Sequence, residues 1–444
     1  MVLIALGLTL YLLVLSGKRF GVGAPVTFFL LYSALTLLTM VLFETGVYAE
    51  GIVEGSGFFV RVLPDQFAQT ALIYALMNTV VYGVTIVGGF GARTPSPEEL
   101  TADRAVTNRV LDSALFSRAA GIGLLLVLTL YVWHFLAIDK SLLIINFRYL
   151  TIGNPQDMGM SNPVLVLAHY ATGPLGMLTG AMMMYYFRRR VSLYGALCFL
   201  LTAYFVMLKL AGFSRWCALI LAAVFASLVM MRAMEGRRLV SIGTVLSLCL
   251  VLAVYVLVLE GRDNSVQGLA GVVLTIATLD IDPLASLGQI AMNISLGAVT
   301  TATALAQMNQ YYPEPYKILS FSPLPNAIDG FRQYFAYSGF INAATPFNSI
   351  SEAILFGSLY FIIYIAVIAW CIRSLTHSFL ELGPVIGLIL STPALFAIMA
   401  MHTYPMRNSL RLLLYATAMT AWAASRLRRR IRELRAAPGT ASPA

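Results

Sequence analysis

Runs of about 17 to 25 residues with almost no charge recur along the chain, near 1–17, 24–43, 67–90, 119–138, 162–187, 191–212, 216–231, 239–259, 352–372, 384–400 and 408–424. Such a run matches the roughly 30 Å hydrocarbon layer at 1.5 Å per helical residue. In lipid every backbone N–H and C=O must be satisfied within the protein, which leaves helices or a closed barrel. Continuous apolar runs, rather than alternating ones, predict helices. Composition agrees: 59% of residues are hydrophobic and 11% charged, against roughly 25% charged in a soluble domain. Mean hydropathy is +0.81. The expected fold class is an all-α polytopic membrane protein with about eleven transmembrane helices. A soluble enzyme, a nucleic-acid binder and a fibrous protein are excluded.

The net charge of +9 has a topological meaning. With the C-terminus placed inside, loops on that side gather nineteen of the 29 Lys and Arg residues, including Arg188–Arg190 and the cluster from Arg426 to Arg435. That asymmetry orients the helices with the N-terminus outside and the C-terminus in the cytoplasm. Trp133, Trp216, Trp370 and Trp422 fall near proposed helix ends, as an aromatic belt requires. Residues 1–17 precede the first basic residues, Lys18 and Arg19, without a signal-peptide pattern, and read as a retained first span. Cys198, Cys217, Cys249 and Cys371 lie inside apolar runs and suggest neither disulfides nor a zinc site.

The organisation expected is eight helices in 1–259, a large outer loop over 260–351, three more helices in 352–425, and a basic cytoplasmic tail over 426–444. A loop this long is usually functional. Within it, 284–308 is uncharged but carries Gln289, Asn293, Gln307 and several threonines. It reads as a helix lying on or above the bilayer; if it crossed, the spans would number twelve. The segment 311–347 holds ten aromatics and five prolines. Flat rings on a stiffened loop suit sugar stacking, with Tyr334 and Tyr337 as candidates; the alternative is that the rings form a small core.

Charged residues are nearly absent from the spans. His169 is the nearest to an intramembrane ionisable group, and packing explains a lone histidine more simply. Lys209, Arg215, Arg262, Glu352, His402, Arg407 and Arg411 instead cluster at outer helix ends. Arginine there either snorkels to headgroups or binds phosphate oxygens through its planar fork. Arg215, Arg262 and Arg407, helped by Arg332 or Lys209, are the expected pyrophosphate-binding set. No glycine-rich nucleotide loop is present, so the phosphate would arrive on a lipid. Asp280 and Asp282 form an Asp-x-Asp pair, which helix capping ahead of Pro283 explains more cheaply than metal binding.

Ser322-Pro-Leu-Pro, together with Ser349-Ile-Ser-Glu352-Ala and Phe356-Gly357 at the start of a late helix, is similar to the Wzy-type O-antigen polymerases. Gly212-Phe-Ser-Arg215, following a span that ends in Lys209, resembles a turn of the same superfamily, as does the layout of spans around one large loop. The resemblance implies a C-type glycosyltransferase-like fold in a bacterial inner membrane, with its active site facing the periplasm. The substrates implied are undecaprenyl-pyrophosphate-linked oligosaccharides as donor and acceptor, with no nucleotide sugar, no cofactor and no metal. A chain-length regulator and membrane lipids are the implied partners, and nucleic acid is not. The Arg- and Gly-containing repeats of some members are not evident, so their role in glycan register is not carried over. An O-antigen ligase on the same fold and a lipid-linked-oligosaccharide flippase are the alternatives; the long outer loop argues against the second.

Cleavage of a sugar–pyrophosphate bond needs cations for the leaving group and a base for the acceptor hydroxyl. Glu352 and His402 are the candidate catalytic residues. Glu352 opens the ninth expected span, three residues after Ser349, so a capping box accounts for it as well as catalysis does.

Overall fold

The computed structural model describes residues 1–21, 23–44, 64–87, 114–146, 160, 162–187, 192–234, 241–261, 266–278, 283–307, 311–324, 329–339, 346–382 and 384–436. Among them no β-strand occurs. The helices are α1 (Val2–Phe20), α2 (Pro25–Glu44), α3 (Pro64–Val87), α4 (Ala114–Ala137), α5 (Pro163–Phe187), α6 (Leu193–Ala211), α7 (Trp216–Met234) and α8 (Ile242–Glu260). They continue with α9 (Leu269–Thr278), α10 (Pro283–Ala306), α11 (Glu314–Ser320), α12 (Ser349–Leu355), α13 (Ser358–Leu382), α14 (Pro384–Met401) and α15 (Met406–Ala436). A π-helical turn covers Leu142–Asn146 and a 3-10 helix covers Phe331–Tyr337.

Six helical stretches are long and apolar enough to cross a membrane: α1, α3, the first 22 residues of α5, α6, α8 and α13. The chain is therefore a helical protein with six candidate spans among its described residues. Four others of the eleven expected, in α2, α4, α7 and α14, contain shorter apolar stretches. Exposure follows the same logic. In α8, the most apolar of these helices, only 22% of the apolar run is buried. Ile242, Val245, Leu246 and Leu250 are open on its surface. So large an uncovered aliphatic face suits hydrocarbon and not water.

Two compact units make up the chain. The first comprises residues 1–101 and 290–433, the second 102–289 and 434–444. In the first unit α1, α2, α3, α13 and α14 pack together. Side-chain hydrogen bonds lock these helices: Ser16 and Thr27 hydroxyls meet at 2.7 Å, Asn78 Nδ2 donates to Thr9 Oγ1 at 3.0 Å, and Val26 N donates to Thr376 Oγ1 at 3.2 Å. Between apolar helices such bonds and close packing supply the association that hydrophobicity supplies in water.

In the second unit α5 packs against both α6 and α7. Gly173, Gly176 and Gly180 lie on the α7-facing side of α5. A Cβ at Gly173 would stand 2.3 Å from Trp216, at Gly176 2.5 Å from Ile220, and at Gly180 2.8 Å from Val224. These glycines let two backbones approach as small-residue stripes do. Gly173→Val is expected to force Trp216 out and destabilise the unit by about 1–3 kcal/mol; thermal unfolding in detergent measures it.

Three expectations change. Glu352 does not open a span: it lies in the separate helix α12, and Gly357, at φ +104°, breaks the chain before α13 begins at Ser358. A side chain there would be strained, so the break is built into the sequence. Of the segment 284–308, residues 284–306 are helical, yet 297–304 are buried in the first unit, which does not suit a helix resting on a surface. Residues 426–436 of the expected tail belong to a helix as well. Helix α15 runs unbroken through Arg426 to Ala436, because Arg, Glu and Ala are good helix formers and no Gly or Pro intervenes before Pro438.

Candidate functional site

The sequence of α12 explains the site's anchor. Asn348, in extended conformation, caps the helix: its Oδ1 accepts from Ser351 N at 2.7 Å and from Ser351 Oγ at 2.6 Å. Asparagine is among the best N-cap residues because its side chain satisfies an orphan N–H. The expected capping box from Ser349 is therefore not formed; the cap lies one residue earlier. Asn348 Nδ2 points the other way, donating to Gly297 O at 2.7 Å and His402 O at 3.2 Å. One buried amide thus joins α10, α12 and the turn between α14 and α15. Gly297 permits the approach, since a Cβ there would stand 2.9 Å from His402 O. Asn348→Ala is expected to cost about 2–4 kcal/mol, because it removes a cap and leaves buried carbonyls unsatisfied; chemical denaturation in detergent measures it.

Helix α12 then presents Glu352, which is 1% exposed. Its Oε1 accepts from Tyr316 OH at 2.9 Å and its Oε2 from Met406 N at 2.6 Å. Met406 is the first residue of α15, so the carboxylate sits at that helix's N-terminus, where orphan N–H groups and the helix dipole favour negative charge. Burial nevertheless dominates and raises the carboxyl from its ordinary value to about 7, with the Met406 and Tyr316 bonds pulling it back. A carboxyl with that poise exchanges protons near neutral pH.

His402 follows α14 and is fully buried. Its Nδ1 lies 3.1 Å from Tyr74 OH, and its ring packs 4.8 Å from that of Tyr32. Burial lowers its pKa to about 3, so the imidazole is neutral at physiological pH and a weak proton acceptor. Of the two candidate bases, Glu352 has the matching affinity.

Arg407, one residue beyond Met406, is committed elsewhere. Its guanidinium donates to Leu319 O, to Leu324 O at 2.8 Å and to Asp329 Oδ2 at 2.6 Å, and lies 4.2 Å over the Phe331 ring. Both partners of the ion pair are buried. Burial acts to raise Asp329, but the bonds from Arg407, Ser322 and Phe331 outweigh it and hold the carboxyl below its ordinary value. Arg407, expected to bind pyrophosphate, here holds Leu319, Leu324 and Asp329 against α15.

Four of the eight aromatics described in the 311–347 segment, Tyr312, Tyr316, Phe331 and Phe347, are buried. Tyr316 stacks on Tyr312 at 5.5 Å and on Phe331 at 5.2 Å, while Phe356 meets both tyrosines edge-on. Tyr334 is partly exposed and Tyr337 is 43% exposed. These two keep the surface needed for stacking on a sugar.

Glu352, His402 and Arg407 thus gather around residues 402–407 of the first unit. Lys209 and Arg215 belong to the second, on either side of a turn in which Ser214 N donates to Lys209 O at 2.9 Å and Phe213 takes φ 45°. Lys209 is buried and Arg215 partly exposed. Arg262, Asp280, Asp282 and Arg188–Arg190 lie outside the described residues, as does the side chain of Arg332. Tyr316, Asn348 and Asp329 escaped sequence reasoning. Only Asn348 carried a local signal, an N-cap residue directly before a Ser-x-Ser helix start. Comparison of this chain with known protein families, with curated proteins and with solved structures finds no match.

Proposed function

We propose that the chain is a membrane glycosyltransferase that polymerises undecaprenyl-pyrophosphate-linked oligosaccharide repeat units, as its resemblance to the Wzy-type polymerases implies. The observation that carries this reading is Glu352: a buried carboxyl with a proton affinity near neutrality, held by Tyr316 and the α15 N-terminus. It stands in a helical chain with six candidate spans among its described residues. The acceptor's sugar hydroxyl attacks the anomeric carbon of the donor glycan. The bond from that carbon to pyrophosphate breaks, the lipid pyrophosphate leaves, and the hydroxyl proton passes to Glu352. Cations must balance the leaving group. With Arg407 engaged by Asp329, Arg332 is the cation proposed for that task within the same unit. Tyr334 and Tyr337 supply ring faces for the glycan.

The enzyme sits in a bacterial inner membrane with its N-terminus and active site periplasmic and its C-terminus cytoplasmic. Single cysteines at Asn309 and Ser192 test the orientation with an impermeant reagent in intact cells. Labelling is expected at the first position and not at the second; the reverse pattern defeats the assignment. The activity is tested by deleting the gene in its source cells. Glycans limited to a single repeat unit, restored to a ladder by the wild-type chain, are expected. A ladder that persists on the carrier lipid but is no longer moved to its final acceptor identifies a ligase instead.

A further inference from the structure

The second unit holds a polar cluster that glycosyl transfer does not use. His134 on α4 and His169 on α5 are both buried, at 0% and 1% exposure. His134 Nε2 and His169 Nδ1 lie 3.3 Å apart, and the two rings are stacked within 20° of parallel. On its other side His134 Nδ1 is 2.7 Å from the hydroxyl of Tyr204 on α6. Tyr131, also buried, donates to Ala168 O at 2.7 Å and so holds α4 against the turn that carries His169. All of these side chains stand within apolar helices. Ionisable groups at such positions are costly and are kept where they do chemistry.

We propose that the second unit holds a single-proton site shared by His134 and His169 and filled through Tyr204. Two facing ring nitrogens need one hydrogen between them. In the neutral pair His134 Nε2–H donates to His169 Nδ1, and His134 Nδ1 accepts from Tyr204 O–H. When a proton arrives from water at the Tyr204 oxygen, the phenolic hydrogen moves to His134 Nδ1 and the Nε2 hydrogen moves to His169 Nδ1. His169 is then the imidazolium, His134 is again neutral, and the bond between the rings persists with its direction reversed. The balance is one proton gained from water. A second proton has no place: on His134 Nε2 it would face the N–H of His169 and set two cations 5.4 Å apart, centroid to centroid.

The surroundings reinforce that limit. Lys209 on α6 and Lys140 beyond α4 are the charges acting on His134, and both are positive. Tyr170 of α5 lies edge-on to His169, and α7 sets Trp216 against Gly173, one turn further along α5. Of the four side chains Tyr131, His134, His169 and Tyr204 only Tyr204 is partly exposed, and the proposed entry of the proton is placed there. The two imidazoles meet through ring nitrogens 3.3 Å apart, and the described residues offer no third His, Cys, Asp or Glu to complete a metal set.

The test uses the full chain in lipid nanodiscs with 15N-labelled histidine; there are four histidines, and His134→Gln and His169→Gln assign the pair. In the unsubstituted protein a through-bond 15N–15N coupling between His134 and His169 is expected. Titration from about pH 8 to 4 should load the pair with one proton, not two. Tyr204→Phe should keep the coupling and slow proton exchange at least about tenfold. Absence of coupling at every pH, two independent single-site titrations, or stoichiometric zinc binding that replaces the coupling each overturns the proposal. Unchanged exchange in Tyr204→Phe overturns the route. None of these readouts depends on glycan transfer, so they stand apart from the polymerase reading.

Discussion

Glu352→Gln is expected to yield a folded protein that binds lipid-linked donor and does not polymerise. The substitution keeps length and volume. The amide oxygen still accepts from Met406 N, and the amide nitrogen turns to donate to the Tyr316 oxygen, so both buried contacts survive. Proton acceptance is what disappears, and a general base contributes about 10²–10⁴-fold. A loss of at least about a hundredfold in glycan elongation, with donor binding retained, is the expected result. Near-normal elongation would reduce Glu352 to an N-terminal cap for α15.

The same variant separates the two roles by pH. The folded pKa of Glu352 is raised to about 7 from an ordinary 4.5, so the folded protein holds this proton more tightly than the unfolded chain does. Its contribution to stability is fully present below about pH 4.5 and is lost as pH rises through about 7, a change on the order of 3 kcal/mol. Thermal unfolding of the wild type should therefore weaken between pH 4.5 and 7, while Glu352→Gln should be flat over that window. A flat wild-type profile would show a carboxylate already ionised when folded, with too little proton affinity to act as the base.

Arg407→Met is expected to destabilise the first unit by about 3–5 kcal/mol. The large figure comes from what remains: Asp329 would be a buried carboxylate without its cation, and the carbonyls of Leu319 and Leu324 would lose their donors. Asp329→Asn in the same background removes the stranded charge and should recover part of the loss, as a double-mutant cycle would report. Because Arg407 also covers Phe331, whose ring stacks on Tyr316, the damage should reach the residue that holds Glu352. Limited proteolysis between residues 319 and 331 should accelerate in Arg407→Met and not in Glu352→Gln. Equal stability in the wild type and Arg407→Met would mean that the guanidinium is free for a ligand after all.

Helical character, the approximate positions of six candidate spans and the weight of positive charge at the C-terminal end were legible in the sequence. Each is a local property: an apolar run of sufficient length must satisfy its own backbone in lipid, wherever the rest of the chain goes. Glu352 was legible as a candidate because α12 begins with a recognisable pattern, although the cap proved to be Asn348. What tertiary structure alone decided is who meets whom. Tyr316 lies 36 residues and Met406 54 residues from Glu352, and 35 residues separate His134 from His169. Whether Arg407 meets a phosphate or Asp329, and whether a ring of the 311–347 segment faces a sugar or Phe356, depends on how distant segments pack. The burial that sets the proton affinity of Glu352 is a property of that packing. No residue carries it in its own sequence neighbourhood.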